Sequence, residues 1–437
     1  RQRQMCIRDS LVIVNKYFYM SSKIRTIWIV NKYAMPPQYE SRLRAIKFAY
    51  YLTEFGYKVI LFGSSVMHNM DLNIIEDNSK YMRRKYGKID FVHINTLMYS
   101  KASKVRRVLS DYLFFKRLVS LADNFECPDC IIATGGPLLT NPLLKYAQKR
   151  GISYIKESLD VWPDNFVDFG LISKWNPIVK LLFAQSKYNC AKSDALVFSW
   201  SGCYDYLKNK RWDVDNGGPI DLKKVFYINN GVDLDDFENF KQQFIIDDPD
   251  LRSCHKKVVY LGSLRHVNNV MQLVYAAEIL ENKKKDVKFL IYGDGTEREK
   301  IISYCKEHQL SNIIVKDKWI DPKYVPYVLS KSYLNILNYL SSDFAKNGIS
   351  SSKMFQYMAA GKPIVCNINI YDCPISKNRI GIAREYTSSA DYAEEILKIL
   401  DLPEGEYALM CDRARLAAKE FDYKFLAKKM VDVINSI

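Results

Sequence analysis

What most constrains this chain is an alternation that runs along it twice: short apolar runs of strand length, each followed by a segment with helical periodicity. "TIWIV" (26–30) leads to Leu43, Ile46, Ala49, Leu52 and Phe55, closed by Gly56, and then to "KVILF" (58–62). This is a βαβ unit, and such units build parallel sheets with buried strands. The series continues through "CIIAT" (130–134), a helix over 141–150 ended by Gly151, "SYIKE" (153–157), "ALVFS" (195–199) and "VFYIN" (225–229). A second series follows. "VVYLG" (258–262) precedes a helix over 268–282, and "VKFLIYGDG" (287–295) precedes one over 296–309. "NIIV" (312–315), "YLNIL" (333–337), a helix over 352–360 and "PIVC" (363–366) come next, and helical stretches over 405–420 and 422–436 close the chain. The pattern predicts an α/β fold with two tandem domains, whose ligands bind at the carboxyl ends of the strands.

Between the series lies an acidic stretch, 233–250, with Lys241 its only basic residue. It reads either as a solvated connection between domains or as a surface loop within one. A chain of 437 residues suits two domains of about 200 residues each. The expected layout is an N-terminal domain over 20–245, a C-terminal one over 255–420, and a last helix, 421–437, packing back towards the first. Residues 1–19 begin "RQRQMCIRDS", lack periodicity, and read as a non-native or disordered leader with Met20 the natural start. At 48% apolar and 26% charged residues the chain is globular. No apolar stretch reaches the length of a spanning helix. Ten scattered cysteines fit reduced thiols in a cytoplasm better than a disulfide framework.

The net charge of +15 is concentrated in the first half, where residues 1–200 carry 30 Lys and Arg against 16 Asp and Glu. Its densest part, 80–117, holds 11 basic residues against Asp90 and Asp111. Such asymmetry points to an anionic partner, either nucleic acid or a membrane surface. The same stretch carries Val105, Val108, Leu109, Tyr112, Leu113 and Phe115, a helix face for lipid or for the domain core.

Candidate chemistry sits in three loops of the second half. Gly262, Ser263 and Arg265 follow a strand, where a glycine admits close backbone approach and an arginine can grip phosphate. Gly293, Asp294 and Gly295 form a second strand-end turn. In "NGISSSKMFQYMAAGKPIVC" (347–366) a Gly/Ser loop enters a helix with Ser351, Ser352 and Lys353 at its start. Serine hydroxyls, helix N–H groups and a lysine can hold a diphosphate. The spacing is not that of a P-loop.

On these segments residues 23–437 resemble a family 4 retaining glycosyltransferase of the GT-B fold, the kind that builds bacterial surface polysaccharides. "YLGSLRHVNNVMQLVYAAEIL", "FLIYGDGTEREKI" and "SKMFQYMAAGKPIV" resemble its donor domain in order and spacing. "INNGVDLDDF" (228–237) resembles the run before its interdomain connection, and "ESLDVWPDNFVDFG" (157–170) an acceptor-domain segment. The resemblance implies two Rossmann-like domains facing across a cleft. Where many members carry two glutamates seven residues apart, this chain has Gly348 and Gln356. Where they carry a lysine in the first phosphate loop it has Asn268, with Arg265 the substitute.

The resemblance further implies transfer of a hexosyl or N-acetylhexosaminyl group from a nucleotide-diphosphate sugar to a hydroxyl, that of a lipid-linked glycan. No metal or other cofactor is expected. Gly262, Ser263, Arg265, Asn268, Gly293, Asp294, Gly295, Ser351, Ser352, Lys353 and Gln356 are the implied donor contacts. Arg265 and Lys353 would also stabilise the leaving group, while Glu157 and Asp160 would orient or deprotonate the acceptor hydroxyl. Tyr33 and Arg42, in the loop after the first strand, would wall the acceptor side. The expected setting is cytoplasmic, on the inner face of the cell membrane. Rival readings are a nucleotide-sugar epimerase of the same fold and a non-catalytic glycan- or anion-binding protein. Nucleic acid is disfavoured because the basic stretch has no recognisable binding motif. "CPDC" (127–130) lacks a second Cys/His pair for zinc, and "DVD" (213–215) reads as a turn.

Overall fold

A computed structural model describes residues 25–36, 38–39, 43–68, 70–99, 103–161, 163–168, 172–281, 283, 286–317 and 320–437. Met20, Arg42 and the expected leader lie outside them. The chain divides into two compact units. The first comprises Arg1–Ser199, Tyr206–Ile228 and Leu426–Ile437, and the second Trp200–Asp205 and Asn229–Phe425. The boundary expected at 245 therefore falls inside the second unit.

The first unit is built on an eight-stranded sheet. Its strands are β1 (Thr26–Asn31), β2 (Lys58–Ser64), β3 (Tyr81–Tyr86), β4 (Ile89–Ile94), β5 (Cys130–Thr134), β6 (Ser153–Ser158), β7 (Ala195–Phe198) and β8 (Val225–Tyr227), in the order β3-β4-β2-β1-β5-β6-β7-β8. All neighbours are parallel except β3 and β4. Among helices of eight or more residues, α1 (Arg44–Glu54) links β1 to β2. Helices α2 (Lys104–Leu121), α3 (Asn141–Arg150) and α4 (Pro177–Lys192) precede β5, β6 and β7. Side chains alternate along each strand. Trp28, Val30, Ile60, Phe62, Ile131 and Ala133 thus share a core with Phe114, Phe115 and Leu118 of α2 and Leu143 and Leu144 of α3.

The β3–β4 hairpin carries the first part of the basic stretch. β3 is an edge strand, and its sequence, Tyr-Met-Arg-Arg-Lys-Tyr, puts charges where an unpaired backbone edge would otherwise invite a second chain. Arg83 pairs with Asp90 at 2.5 Å and with Glu126 at 3.1 Å, and Lys88 with Glu54 at 2.7 Å. Arg83 and Lys88 are thus engaged in ion pairs within the unit.

The second unit holds a parallel six-stranded sheet. Its strands are β9 (Lys256–Leu261), β10 (Val287–Tyr292), β11 (Ile313–Val315), β12 (Leu334–Leu337), β13 (Ile364–Cys366) and β14 (Gly381–Ala383), in the order β11-β10-β9-β12-β13-β14. Around it lie α5 (Leu234–Gln243), α6 (Val270–Glu281), α7 (Arg298–Glu307), α8 (Ser352–Ala359), α9 (Ser389–Leu400), α10 (Glu404–Ala418) and α11 (Tyr423–Asn435), the last shared with the first unit beyond Phe425. Val258, Tyr260, Phe289 and Ile291 pack on one face with α6 and α9, and Val259, Leu290, Tyr292 and Ile364 on the other with α8 and α10. The acidic stretch is no solvated connection. Asp233 caps α5 by accepting from the Asp236 N–H at 3.0 Å, and Phe237 is buried in the core. Its carboxylates cluster because acidic residues suit a helix N-terminus.

Candidate donor site of the second unit

At the carboxyl ends of β9 and β10 two loops are stitched together by their backbones. The Gly262 N–H donates to the Tyr292 carbonyl at 3.0 Å, and the Leu264 N–H to the Asp294 carbonyl at 2.8 Å. The fit depends on missing side chains. A Cβ on Gly293 would lie 1.8 Å from the Gly262 carbonyl oxygen, and one on Gly295 2.3 Å from that of Leu264. The Tyr260 hydroxyl donates to the Ser263 carbonyl at 2.8 Å, and Arg298 Nη1 to the Gly293 carbonyl at 2.9 Å.

Onto this platform comes the first turn of α8. Lys353 Nζ would be 2.5 Å from a Cβ on Gly262 and stands 5.2 Å from the centre of the Tyr260 ring. The side chain is half-buried, and desolvation pushes its pKa down to about 8. Among the described residues no carboxylate pairs with it. Ser351 begins the helix without a side-chain cap, and Ser352 is exposed beside it, so first-turn N–H groups remain for an anion. Gln356 lies one turn further along and is half-buried. Arg265 and Asp294 are exposed at the loop rims.

Asn268 is part of the support. It is buried, and its Nδ2 donates to the Ser263 carbonyl at 2.8 Å and to the Ser263 hydroxyl at 2.7 Å. In this geometry both amide hydrogens brace the loop.

The segment leading into α8 is held by residues far from it in the chain. Asn229 Nδ2 donates to the Ile349 carbonyl at 3.3 Å, and the Ser350 hydroxyl to Asn229 Oδ1 at 2.7 Å. Asn230 Nδ2 donates to the Ser350 carbonyl at 3.0 Å, and the Gly202 N–H to the Asn347 carbonyl at 2.9 Å. Gly348 has φ +91°, and a Cβ there would lie 2.6 Å from Ser201 Oγ. The Asn-Asn pair in "INNGVD" was the available signal, but its partner is 120 residues away.

In the first unit the predicted acceptor residues are differently placed. Glu157, on β6, is buried and accepts from Arg44 Nε at 2.9 Å and from the Thr134 hydroxyl at 2.6 Å. Arg44, also buried, donates through Nη2 to the Ile228 carbonyl at 2.9 Å. Glu157 is thus an internal strut in this geometry, while Asp160 is exposed beyond the strand. The Tyr33 hydroxyl donates to Asp111 at 3.1 Å and accepts from Arg107 Nε at 3.1 Å, and buried Lys32 pairs with the same carboxylate. Burial, larger than the opposing pull of Asp111, lowers the Lys32 pKa.

The remaining signals resolve simply. Asp213 is buried and accepts from Asn216 Nδ2 at 3.0 Å, the geometry of a turn. Cys130 is buried, which raises its thiol pKa, and Cys127 is exposed. Among the described residues no group of three or more His, Cys, Asp or Glu could hold a metal ion, and no helix is long and apolar enough to cross a membrane.

Comparison with known proteins places this geometry. Residues 241–419 match the family described as Glycosyl transferases group 1. The matched stretch lies within the second unit and is similar to that family, and the chain has the GT-B fold. That fold is shared with sucrose-phosphate synthase from Thermosynechococcus elongatus (TM-score 0.64, 13% identity, covering 93% of this chain and 97% of that one). It is shared too with a trehalose 6-phosphate synthase from Burkholderia multivorans (TM-score 0.68, 13% identity, 94% and 98%). The HepE protein of Anabaena in complex with UDP gives a TM-score of 0.62 at 12% identity, with 95% and 100% covered. In sequence the chain is 23% identical over 269 residues to the poly(ribitol-phosphate) alpha-N-acetylglucosaminyltransferase of Staphylococcus aureus (strain COL). That match takes in 61% of this chain and 46% of the relative, so the chain spans about half the relative's length.

Proposed function

We propose that this protein moves a sugar from a nucleotide-diphosphate sugar to a hydroxyl of a glycan acceptor, with retention at the anomeric carbon. The observation that carries the reading is the half-buried Lys353 ammonium, set against Gly262 at the head of α8 with no acidic partner among the described residues. A desolvated cation without a counterion is a poor element of stability and a good receptor for an anion. The departing diphosphate gathers negative charge in the transition state. Lys353, Arg265 and the first-turn N–H groups of α8 meet that charge without needing to reorganise. Gln356 offers an amide to a donor hydroxyl. Attack from the leaving-group side keeps the configuration without an enzyme nucleophile, and the charge set needs no metal.

The UDP named with HepE and the N-acetylglucosaminyl group named for the staphylococcal relative support a hexosyl or N-acetylhexosaminyl donor. The poly(ribitol-phosphate) of that relative supports a polymer acceptor. In this reading the acceptor is lipid-linked, the setting is the cytoplasmic face of the cell membrane, and the role is bacterial polysaccharide biosynthesis, of a capsule or O-antigen.

Thermal unfolding against a panel of nucleotide sugars tests the donor. One or more should raise the unfolding midpoint of the parent and leave that of Lys353→Ala unmoved. A panel in which none protects, or in which protection survives the substitution, overturns the site. Once a donor is found, turnover should persist in excess chelator. Loss with EDTA, restored by manganese or magnesium, overturns the metal-free reading.

A further inference from the structure

Helix α2 has two apolar faces, and only one is covered. Phe114, Leu118 and Leu121 lie in the core of the first unit. Val105, Val108, Leu109 and Tyr112, at spacings of three, four and seven residues, form a second stripe that is exposed, Val105 to 73% and Val108 to 57%. Helix α4 repeats the arrangement. Ile178, Leu181 and Tyr188 lie along its outer side, Ile178 exposed to 59%, and Trp175 just before it is exposed to 72%. An ordinary soluble surface scatters such residues singly.

The two stripes share one side of the sheet. The connections β4–α2–β5, β5–α3–β6 and β6–α4–β7 all step the same way across it, so right-handed crossovers put the three helices on one face. Their N-terminal turns all follow the carboxyl ends of strands. Local contacts tie them: a Cβ on Gly135 would lie 2.8 Å from Phe115 of α2, and Asn141 Nδ2 of α3 donates to Gln185 Oε1 of α4 at 2.8 Å. Leu138, in the intervening loop, is exposed as well.

The charge around these stripes is of one sign. Residues 104–121 and 172–192 contain nine Lys and Arg and a single acid, Asp111, which is buried against Lys32. Lys174 and Lys180 stand 5.3 and 5.9 Å from the Trp175 ring, and Lys116 stands 5.8 Å from that of Tyr112. A tryptophan and aliphatic side chains ringed by cations match the acyl boundary and headgroups of an anionic bilayer.

We infer that the outer faces of α2 and α4, with Trp175, dock the first unit onto an anionic lipid surface. Val105, Val108 and Leu109 of α2 and Ile178 of α4 lie in the N-terminal halves of their helices, which follow the carboxyl ends of β4 and β6, the ligand end of an open α/β sheet. The inference rests on the sugar-transfer reading only for the notion that a lipid-borne acceptor waits there. Nucleotide-sugar protection tests that reading separately.

The full chain should sediment with vesicles of phosphatidylcholine and phosphatidylglycerol, remain in solution with phosphatidylcholine alone, and be released by salt. Leu109→Glu combined with Trp175→Ala should weaken the partition by more than about tenfold, with the unfolding midpoint and nucleotide-sugar protection unchanged. Trp175→Phe should keep binding and reduce the vesicle-induced blue shift of emission, since among the other described tryptophans Trp28, Trp200 and Trp212 are buried. Should the double variant fail to fold, Trp175→Ala alone carries the test. A parent that ignores anionic vesicles, or a variant that binds them as well as the parent, overturns the inference. So does a parent dimer that the double variant splits without any vesicle binding, because a second copy would then be the occupant.

Discussion

The carboxyl end of the sheet in the second unit differs from that in the first in how each treats its charges. In the first, cations and anions are matched inside: Arg44 with Glu157, and Lys32 and Arg107 around Asp111 and Tyr33. In the second, Lys353 has no carboxylate partner among the described residues and sits on a platform of glycines. A closed set of charges holds a structure in place, whereas an open one awaits something from outside. On the proposed function, the difference separates supporting carboxylates from a binding cation where residue type alone treats them alike.

The sharpest way to break the comparison is Glu157→Ala. If Glu157 is a strut, removing it leaves Arg44 buried and uncompensated and should cost about 3–5 kcal/mol in denaturant unfolding. Unaltered stability with collapsed turnover would make Glu157 a catalytic base, and the contrast between the units would vanish.

Lys353 should behave in the opposite manner. Lys353→Ala should cut donor turnover by about tenfold to a thousandfold with the fold intact, and Arg265→Ala by less, because its guanidinium is exposed. Lys353→Met should raise the unfolding midpoint at neutral pH, since the parent desolvates an ammonium there. The sign follows from linkage. The folded-state pKa of about 8 lies below that of the unfolded chain, so the unfolded state binds more protons between the two values. The parent therefore gains stability relative to Lys353→Met as pH rises above about 8. Donor affinity should fall over the same rise, as the ammonium is lost. A flat difference across that window would show that Lys353 does not titrate there.

A smaller effect is expected from Gly348→Glu, which restores a residue type the resemblance leads one to expect. The left-handed backbone and Ser201 oppose any side chain there, so the change should cost about 1–3 kcal/mol and confer no activity. A variant that is both stable and faster would show the loop to be freer than its contacts imply.

Much of this was legible beforehand, for physical reasons. Buried parallel strands are apolar throughout, so β1, β2, β5 and β9 are visible as runs. Gly262, Gly293 and Gly295 stand out because two backbones can approach so closely only where Cβ is missing. The β3–β4 hairpin escaped because an edge strand is disguised by its protective Arg83, Arg84 and Lys85. The bracing role of Asn268 escaped because an amide that braces a loop and one that binds a ligand look alike in one dimension. The hold of Asn229 on Ser350 escaped because no local pattern reports a pairing across 121 residues. The acidic composition of 233–250 concealed α5, whose single buried anchor is Phe237.

The division of the chain bears on how it is made. Residues 426–437 complete the first unit, and residues 200–205 belong to the second although first-unit segments flank them. A ribosome delivers Ile228 roughly 200 residues before it delivers the first unit's last helical segment. The nascent first unit must therefore wait, unfinished, while residues 229–425 of its neighbour are synthesised, and no single cut in the gene separates the two as intact pieces.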